Sequence, residues 1–347
     1  MEIVGGLDLH GSQITFEVVD LRTGEVRAGK VHGPDRQRWR KWLETSFAAG
    51  DDVELVVEGC TGWRFVVEEI QRAGFTARVA EPAQAQAARG NKRRAKTDRS
   101  DARLLCRLAM EGRVPDSWIP PTVILEWRER IRSYRTLLDQ RTAWAQRLHA
   151  ELYQHGVAVP EAHIAADDTR ALLRSDRVEL TAAARERIAL AYRMIDATNN
   201  ELLPLAGRIR AFGRCHPATR ALVAAHYGIG PLIAVAVWAE LGDCRRFASS
   251  DAAVRHSGLD ITVHATGNYR SGGHLARQGP SVLRWALYEA AHHASRATSP
   301  DHAYYCDVRS RIDAKRAALS VARKLARRCY HTMRQLNDEQ LFADIHT

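Results

Sequence analysis

Four carboxylates stand out as residues able to do chemistry together: Asp8, Glu58, Asp98 and Asp101. Asp8 sits in the apolar run GGLDLH, where burying an acid without a partner is costly. Asp98 and Asp101 are three residues apart, so a helix would place them on one face. Four carboxylates cannot converge without strong mutual repulsion unless a cation neutralises them. One or two Mg²⁺ ions fit best, since oxygen ligands suit a hard cation and phosphate oxygens supply the remaining ligands. Two such ions would stabilise both the attacking and the leaving oxygen of a phosphoryl transfer. Each residue also has a plain reading: Asp98 as part of a helix start, Glu58 as the end of a strand before Gly59.

The elements that must position these residues are legible in outline. Residues 2–10 and 13–20 are β-branched runs split by Gly11-Ser12, a hairpin signal, and a third strand is expected near Glu25–Val31. Asp35–Phe47 has helical spacing; Val53–Glu58 reads as a strand, Trp63–Ala73 as a helix and Phe75–Ala80 as a strand. Asp98–Gly112 reads as a helix with Thr97 as its N-cap, and Ala83–Lys96 as a polar, basic connection. With Asp8 on the first strand and Glu58 on the fourth, neighbouring strands would bring both toward the last helix. The order strand Asp, strand Glu and helical Asp pair is a ribonuclease-H-like, or RuvC-like, signal. The expected fold is thus α/β followed by all-α, with domains at 1–114, 115–212 and 213–347.

Charge supports a polyanionic partner. The chain of 347 residues carries a formal net charge of +10. Residues 1–80 hold 10 basic and 13 acidic side chains, whereas 81–120 hold 9 and 5, and 309–334 hold 9 and 1. A slightly acidic domain joined to basic segments suits a cation site beside a phosphate-binding surface. With 45% hydrophobic and 27% charged residues, wholesale disorder is excluded. No apolar run approaches the ~20 residues of a membrane span, no signal peptide is evident, and six cysteines without a CxxC pair read as reduced thiols, so a cytoplasmic protein is expected.

Pro115, Pro120 and Pro121 mark a boundary. Beyond it, Trp127 to Leu152 and Leu180 to Ala206 read as two long helices joined by a loop around Gly156–Asp176, a helical hairpin serving as a dimer coiled coil or as a spacer. In the last third, Tyr227-Gly228-Ile229-Gly230-Pro231 joins two helical runs in a helix-hairpin-helix-like turn. Such a turn can present backbone N–H groups to phosphate, or simply connect two helices. Residues 265–280 are polar and Gly-rich, with Arg270, His274 and Arg277. A helix over about 313–336 places Ala318, Val321, Leu325, Cys329 and Met333 on one face, and Arg323, Lys324, Arg327 and Arg328 elsewhere. Lacking Trp or Phe anchors, it suits nucleic acid better than a membrane. Lys92, Arg93, Arg94 and Lys96 complete the candidate nucleic-acid contacts. The 15 histidines show no metal spacing, so packing or solvent roles are expected of them.

The runs GLDLH, VVEGCTGW and AKTDRSDARLLCRLA resemble the Asp-Glu-Asp-Asp domain of insertion-sequence-110 family transposases. GIGPLIAVAVWAELGDCRRF and HSGLDITVHATGNYRSGGHLARQGPSVLRWALYEAA resemble the family's C-terminal transposase domain. The resemblance implies a DNA transposase that binds double-stranded DNA, a metal held by the four carboxylates, a noncoding guide RNA and a homo-oligomer, dimer or tetramer. It also implies a serine nucleophile just before a glycine in the 265–280 loop. Counting back from Arg277-Gln278-Gly279, the matching position is Thr266, a departure, because its β-methyl crowds the approach to phosphorus. Ser271 is the alternative nucleophile. The rival readings are a metal-dependent nuclease or junction resolvase using water, and an inactive nucleic-acid-binding descendant.

Overall fold

The computed structural model describes residues 2–88, 97–160, 164, 166–175, 177–262, 265–266, 269–270 and 273–344, without the side chains of Thr262, Ala265, Thr266, Tyr269 and Arg270. It divides into two compact units, Met1–Ile119 and Pro120–Thr347.

The first unit is a mixed sheet with helices on both faces. Strands β1 (Ile3–His10), β2 (Gln13–Asp20) and β3 (Val26–His32) form an antiparallel meander, and β4 (Val53–Glu58), β5 (Thr76–Ala80) and β6 (Asp116–Ser117) extend it on the other side of β1. The order is β3-β2-β1-β4-β5-β6, with β4 parallel to both β1 and β5. Parallel neighbours need crossovers, which α1 (Arg36–Ser46) and α2 (Trp63–Arg72) provide.

Strand alternation decides what each face holds. Ile3, Leu7 and Leu9 of β1 and Val53, Leu55 and Val57 of β4 face the core under α1 and α2, around Trp39, Leu43 and Ile70. The alternate residues Val4 and Val56 pack instead with Leu104, Leu105 and Leu108 of α4 (Asp98–Met110). Asp8 and Glu58 have the parity of Val4 and Val56, so both belong to the α4 face. The register pairs Leu7 with Val57, which sets Asp8 and Glu58 at one level on adjacent strands.

Gly6 allows α4 to lie this close. A Cβ there would stand 2.1 Å from the Ala102 carbonyl oxygen and 2.3 Å from the Cys106 nitrogen, both backbone atoms of α4. No side chain fits in that space. The connection expected to be a simple polar segment from residue 83 starts as a helix, α3 (Pro82–Ala88), because Glu81 accepts from the Gln84 amide and closes its first turn. Residues 89–96, which hold Lys92, Arg93, Arg94 and Lys96, lie outside the described residues.

The second unit is helical. Helices α5 (Thr122–Gln154) and α7 (Ala182–Cys215) run antiparallel. Near their turn Leu148 and Leu152 meet Ile188, Ala191 and Ile195. At the other end Trp127 stacks on Phe212, with ring centroids 3.8 Å apart. The intervening segment, expected to be a loop, contains α6 (Asp167–Arg174), tied down by the Arg170–Asp196 pair and by Leu173 in the same core.

Helices α8 (Pro217–Ala225) and α9 (Pro231–Leu241) follow, then α10 (Ser250–His256), α11 (Ser281–His292), α12 (His302–Arg311), α13 (Ala314–Arg334) and α14 (Asp338–Leu341). Between α10 and α11 two nested two-residue ladders form: β7 (Ile261–Thr262) with β10 (His274–Leu275), and β8 (Ala265–Thr266) with β9 (Tyr269–Arg270). The expected apolar face of α13 is buried, from Ala318 through Val321, Leu325 and Cys329 to Met333. Among the described residues no helix is long and apolar enough to cross a membrane.

Candidate active site

Thr97 caps α4 as the sequence predicts: its side chain accepts from the Ser100 amide, and Ser100 returns a bond to the Thr97 amide. This capping box starts the helix at Asp98 and puts Asp98 and Asp101 in its first turn, where the positive end of the helix dipole favours carboxylates. Both then lie beside the even-numbered face of β1.

The site therefore assembles from three elements. Asp8 is 6% exposed, and its Oδ2 is buried without a hydrogen-bond partner. Burial pushes its carboxyl up to about 6; the nearby His10 opposes this, while the charges of Asp101, Asp98 and Glu58 add to it. The three other predicted carboxylates thus all act on Asp8 through space. Glu58 and Asp101 also line one pocket of about 310 Å³, closed by Pro82, Ala85 and Gln86 of α3 and by Leu104 and Leu105 of α4. Cys60, two residues after Glu58, has its thiol pushed up by burial and by the Glu58 and Asp8 charges, so it is no ready nucleophile.

One histidine stands among these carboxylates, which the sequence reading did not single out. His10 Nε2 lies 3.4 Å from Asp8 Oδ2 and 3.3 Å from Asp98 Oδ1, and these three residues could share a metal ion. Gln13, opposite His10 across the β1–β2 turn, donates to Asp98 Oδ2 at 2.7 Å. The signal for His10 was present in the sequence as Asp-x-His, since alternate residues of a strand share a face. Gln13 gave no such signal, because its contact spans 85 residues. Two further buried acids on the sheet are neutralised within the fold: Glu17 by Arg103, and Glu54 by Arg78.

In the second unit the Gly-rich segment springs from a clamped base. Gly258 and Gly279 both have positive φ, and a Cβ on either would stand within 2.2 Å of a backbone oxygen, of Gln278 and His256 respectively. Arg277 also has positive φ (54°), and its side chain is exposed. Thr266 ends β8 and pairs with Tyr269. Ser271 lies outside the described residues, and the Arg270 side chain is likewise not described.

The basic helix α13 is more internally committed than its sequence suggests. Arg323 Nε donates to the Leu259 oxygen at 2.7 Å, Arg327 pairs with Asp251 at 2.9 Å, and Arg328 and Lys324 both engage Asp301. Gly228, of positive φ, also has a packing role: a Cβ there would lie 2.6 Å from the Ala290 oxygen of α11. Gly230 caps α9 ahead of Pro231.

Comparison with known proteins gives two family matches and a relative. A family profile described as a transposase, of the DEDD type of IS110 elements, matches residues 5–156. A second, described as the transposase IS116/IS110/IS902 family, matches residues 220–306. Together they span well over half the chain. A "Probable family 20 transposase" of Pseudomonas aeruginosa is 26% identical over 298 residues, covering 81% of this chain and 84% of that protein.

Proposed function

This chain belongs to the IS110 family of DNA transposases, and from that premise we propose that Asp8, Glu58, Asp98 and Asp101 hold one or two Mg²⁺ ions for DNA strand cleavage and exchange. The observation that carries this reading is Asp8: a buried carboxylate with an orphaned oxygen, raised to about 6 amid three other carboxylates. An anionic cluster of this kind suits a hard cation, and a protein-only site would leave Asp8 both desolvated and repelled. When bound, such an ion neutralises charge on the scissile phosphate and lowers the pKa of the attacking hydroxyl.

The chain's own residues have separate tasks in this scheme. Asp8 and Glu58, on neighbouring strands, are the rigid pair. Asp98 and Asp101 are set by the Thr97 capping box, and Gln13 holds one oxygen of Asp98 so that the other faces His10. The attacking group is the hydroxyl of Thr266 or, by the second choice of position, Ser271; it displaces a deoxyribose oxygen from phosphorus and leaves a phosphoester between protein and DNA. The exposed Arg277 beside this segment, and the basic stretch that includes Lys92 to Lys96, are assigned to backbone phosphates of double-stranded DNA or of a noncoding guide RNA. The transposase is further proposed to act as a homo-oligomer.

Trapping tests the scheme. Incubated with Mg²⁺ and its element's junction DNA, the protein should form an SDS-stable adduct that Asp8→Asn abolishes. Loss of the adduct in Thr266→Val, but not in Ser271→Ala, identifies the nucleophile. Cleavage without any adduct would transfer the chemistry to a water nucleophile and make the protein a nuclease. Undiminished cleavage by the Asp8→Asn, Asp101→Asn double variant would overturn the metal reading.

A further inference from the structure

We infer that His10 is a direct ligand of the metal site, adding an imidazole nitrogen to Asp8 and Asp98, and that this position therefore prefers Mn²⁺ or another imidazole-binding divalent ion to Mg²⁺. The inference rests on the proposed carboxylate metal site and extends it to a residue outside the four acids.

Spacing is the first argument. His10 Nε2 stands 3.4 Å from Asp8 Oδ2 and 3.3 Å from Asp98 Oδ1, and the three ligand atoms lie within 4.8 Å of one another. With bonds of about 2.0–2.2 Å, neighbouring ligands are separated by roughly 2.8–3.1 Å in an octahedral site and roughly 3.3–3.6 Å in a tetrahedral one, and the His10 distances match the latter. His10 Nε2 is therefore at the spacing of a neighbouring ligand from each of the two carboxylate oxygens.

Orientation is the second. Asp8 Oδ2, the oxygen nearest His10, is the one buried without a hydrogen-bond partner, on a side chain only 8% exposed. Its one close polar neighbour is the His10 imidazole, at 3.4 Å, beyond ordinary hydrogen-bond length. Asp98 is turned the same way, because Gln13 takes its Oδ2 and leaves Oδ1 toward His10. A carboxylate held by an outer amide so that its other oxygen faces a shared point is the usual support of a ligand.

Placement is the third. His10 is the last residue of β1, on the same face as Asp8, and its partner across the tight turn is Gln13. One hairpin end thus delivers a ligand and the group that orients another. The imidazole is about half exposed, which leaves open sides for a substrate phosphate oxygen or water. Imidazole suits Zn²⁺ and other later first-row ions best, and Mn²⁺, the lowest of that series, still accepts it more readily than Mg²⁺, which favours oxygen and retains water.

Metal-binding measurements on the intact protein decide the matter without any activity assay. The full chain is loaded with one equivalent of Mn²⁺, and pulsed EPR should show the ¹⁴N modulation of a bound imidazole. His10→Ala, a change at an exposed strand end, should lose that modulation and weaken Mn²⁺ binding at least about tenfold, as loss of even supporting groups does. Mg²⁺ affinity, followed by competition, should change much less. Asp8→Asn should lose both ions. Absence of ¹⁴N modulation in the unmodified protein, or equal weakening of Mn²⁺ and Mg²⁺ by His10→Ala, would overturn the inference while leaving the carboxylate site intact. Failure of the unmodified protein to bind either ion would overturn both.

Discussion

Replacing Asp8 by Asn should make the metal-free protein more stable while destroying its catalysis. Asp8 has its carboxyl raised from 3.8 to about 6, first by burial and then by the charges of Asp101, Asp98 and Glu58. A raised folded-state value means that the neutral acid is favoured by folding. The associated stability is fully present below about pH 4 and is lost as pH rises through 6. The gap between the two values corresponds to about 3 kcal/mol at pH 8, where the folded chain must carry a buried, repelled charge that the unfolded chain carries in water. Asn is nearly isosteric and uncharged, so it removes that penalty.

Urea unfolding in excess chelator is a suitable assay. At pH 8 the Asp8→Asn midpoint for the first unit should exceed that of the unsubstituted protein by about 1 M, given typical denaturant slopes. The difference should shrink toward zero as pH falls below about 3.8, where Asp8 becomes protonated in both states. Adding Mg²⁺ or Mn²⁺ at about one thousand times its dissociation constant should reverse the order, because binding stabilises only the unsubstituted site, by about 4.1 kcal/mol, more than the variant gains from losing the charge. A variant no more stable than its parent at pH 8, or a gap independent of pH, would refute the argument that Asp8 is held in an electrostatically unfavourable state.

Two other substitutions probe positioning. Gly6→Ala should destabilise the first unit by upward of about 3 kcal/mol, because the new methyl meets backbone atoms of α4 at 2.1 and 2.3 Å; loss of metal affinity should accompany it. Unchanged thermal unfolding would show that α4 can move away from β1 at little cost. In the second unit Glu240, 1% exposed, is engaged by Arg132 and lies 3.7 Å from the half-buried Arg128. Glu240→Ala should cost about 3–5 kcal/mol in urea unfolding by stranding that guanidinium, and the Gln variant less. Equal, small losses in both would assign Arg128's neutralisation to the carbonyls of Ala239 and Glu240, which it also contacts.

Much of the site follows from short-range pattern. Period-two alternation alone puts Asp8 on the opposite side of its strand from Leu7 and Leu9, and Thr97 with Ser100 sets where α4 begins. Three things were not readable this way. Asp-x-His puts His10 on the face of Asp8, but its second partner, Asp98, arrives from 88 residues away. The Ala83–Lys96 connection hides a helix whose sequence, PAQAQAA, has no strong apolar period. The basic face of α13 reads as a nucleic-acid surface, yet Asp251 and Asp301 come from elsewhere in the chain to pair with it.

The sequence by itself determined the chemistry available: which carboxylates exist, which strand faces carry them, and which hydroxyls and cations accompany the Gly-rich segment. These depend on residue type and on backbone periodicity, both local properties. Only the tertiary structure decided that β1 lies beside β4 in a register that levels Asp8 with Glu58, that Gly6 admits α4 to within backbone contact, and that His10 and Gln13 meet Asp98. Those outcomes depend on which distant surfaces desolvate one another. Burial also sets the state of Asp8: the same side chain is an ordinary acid in the unfolded chain and is held at about 6 once the sheet and α4 close over it.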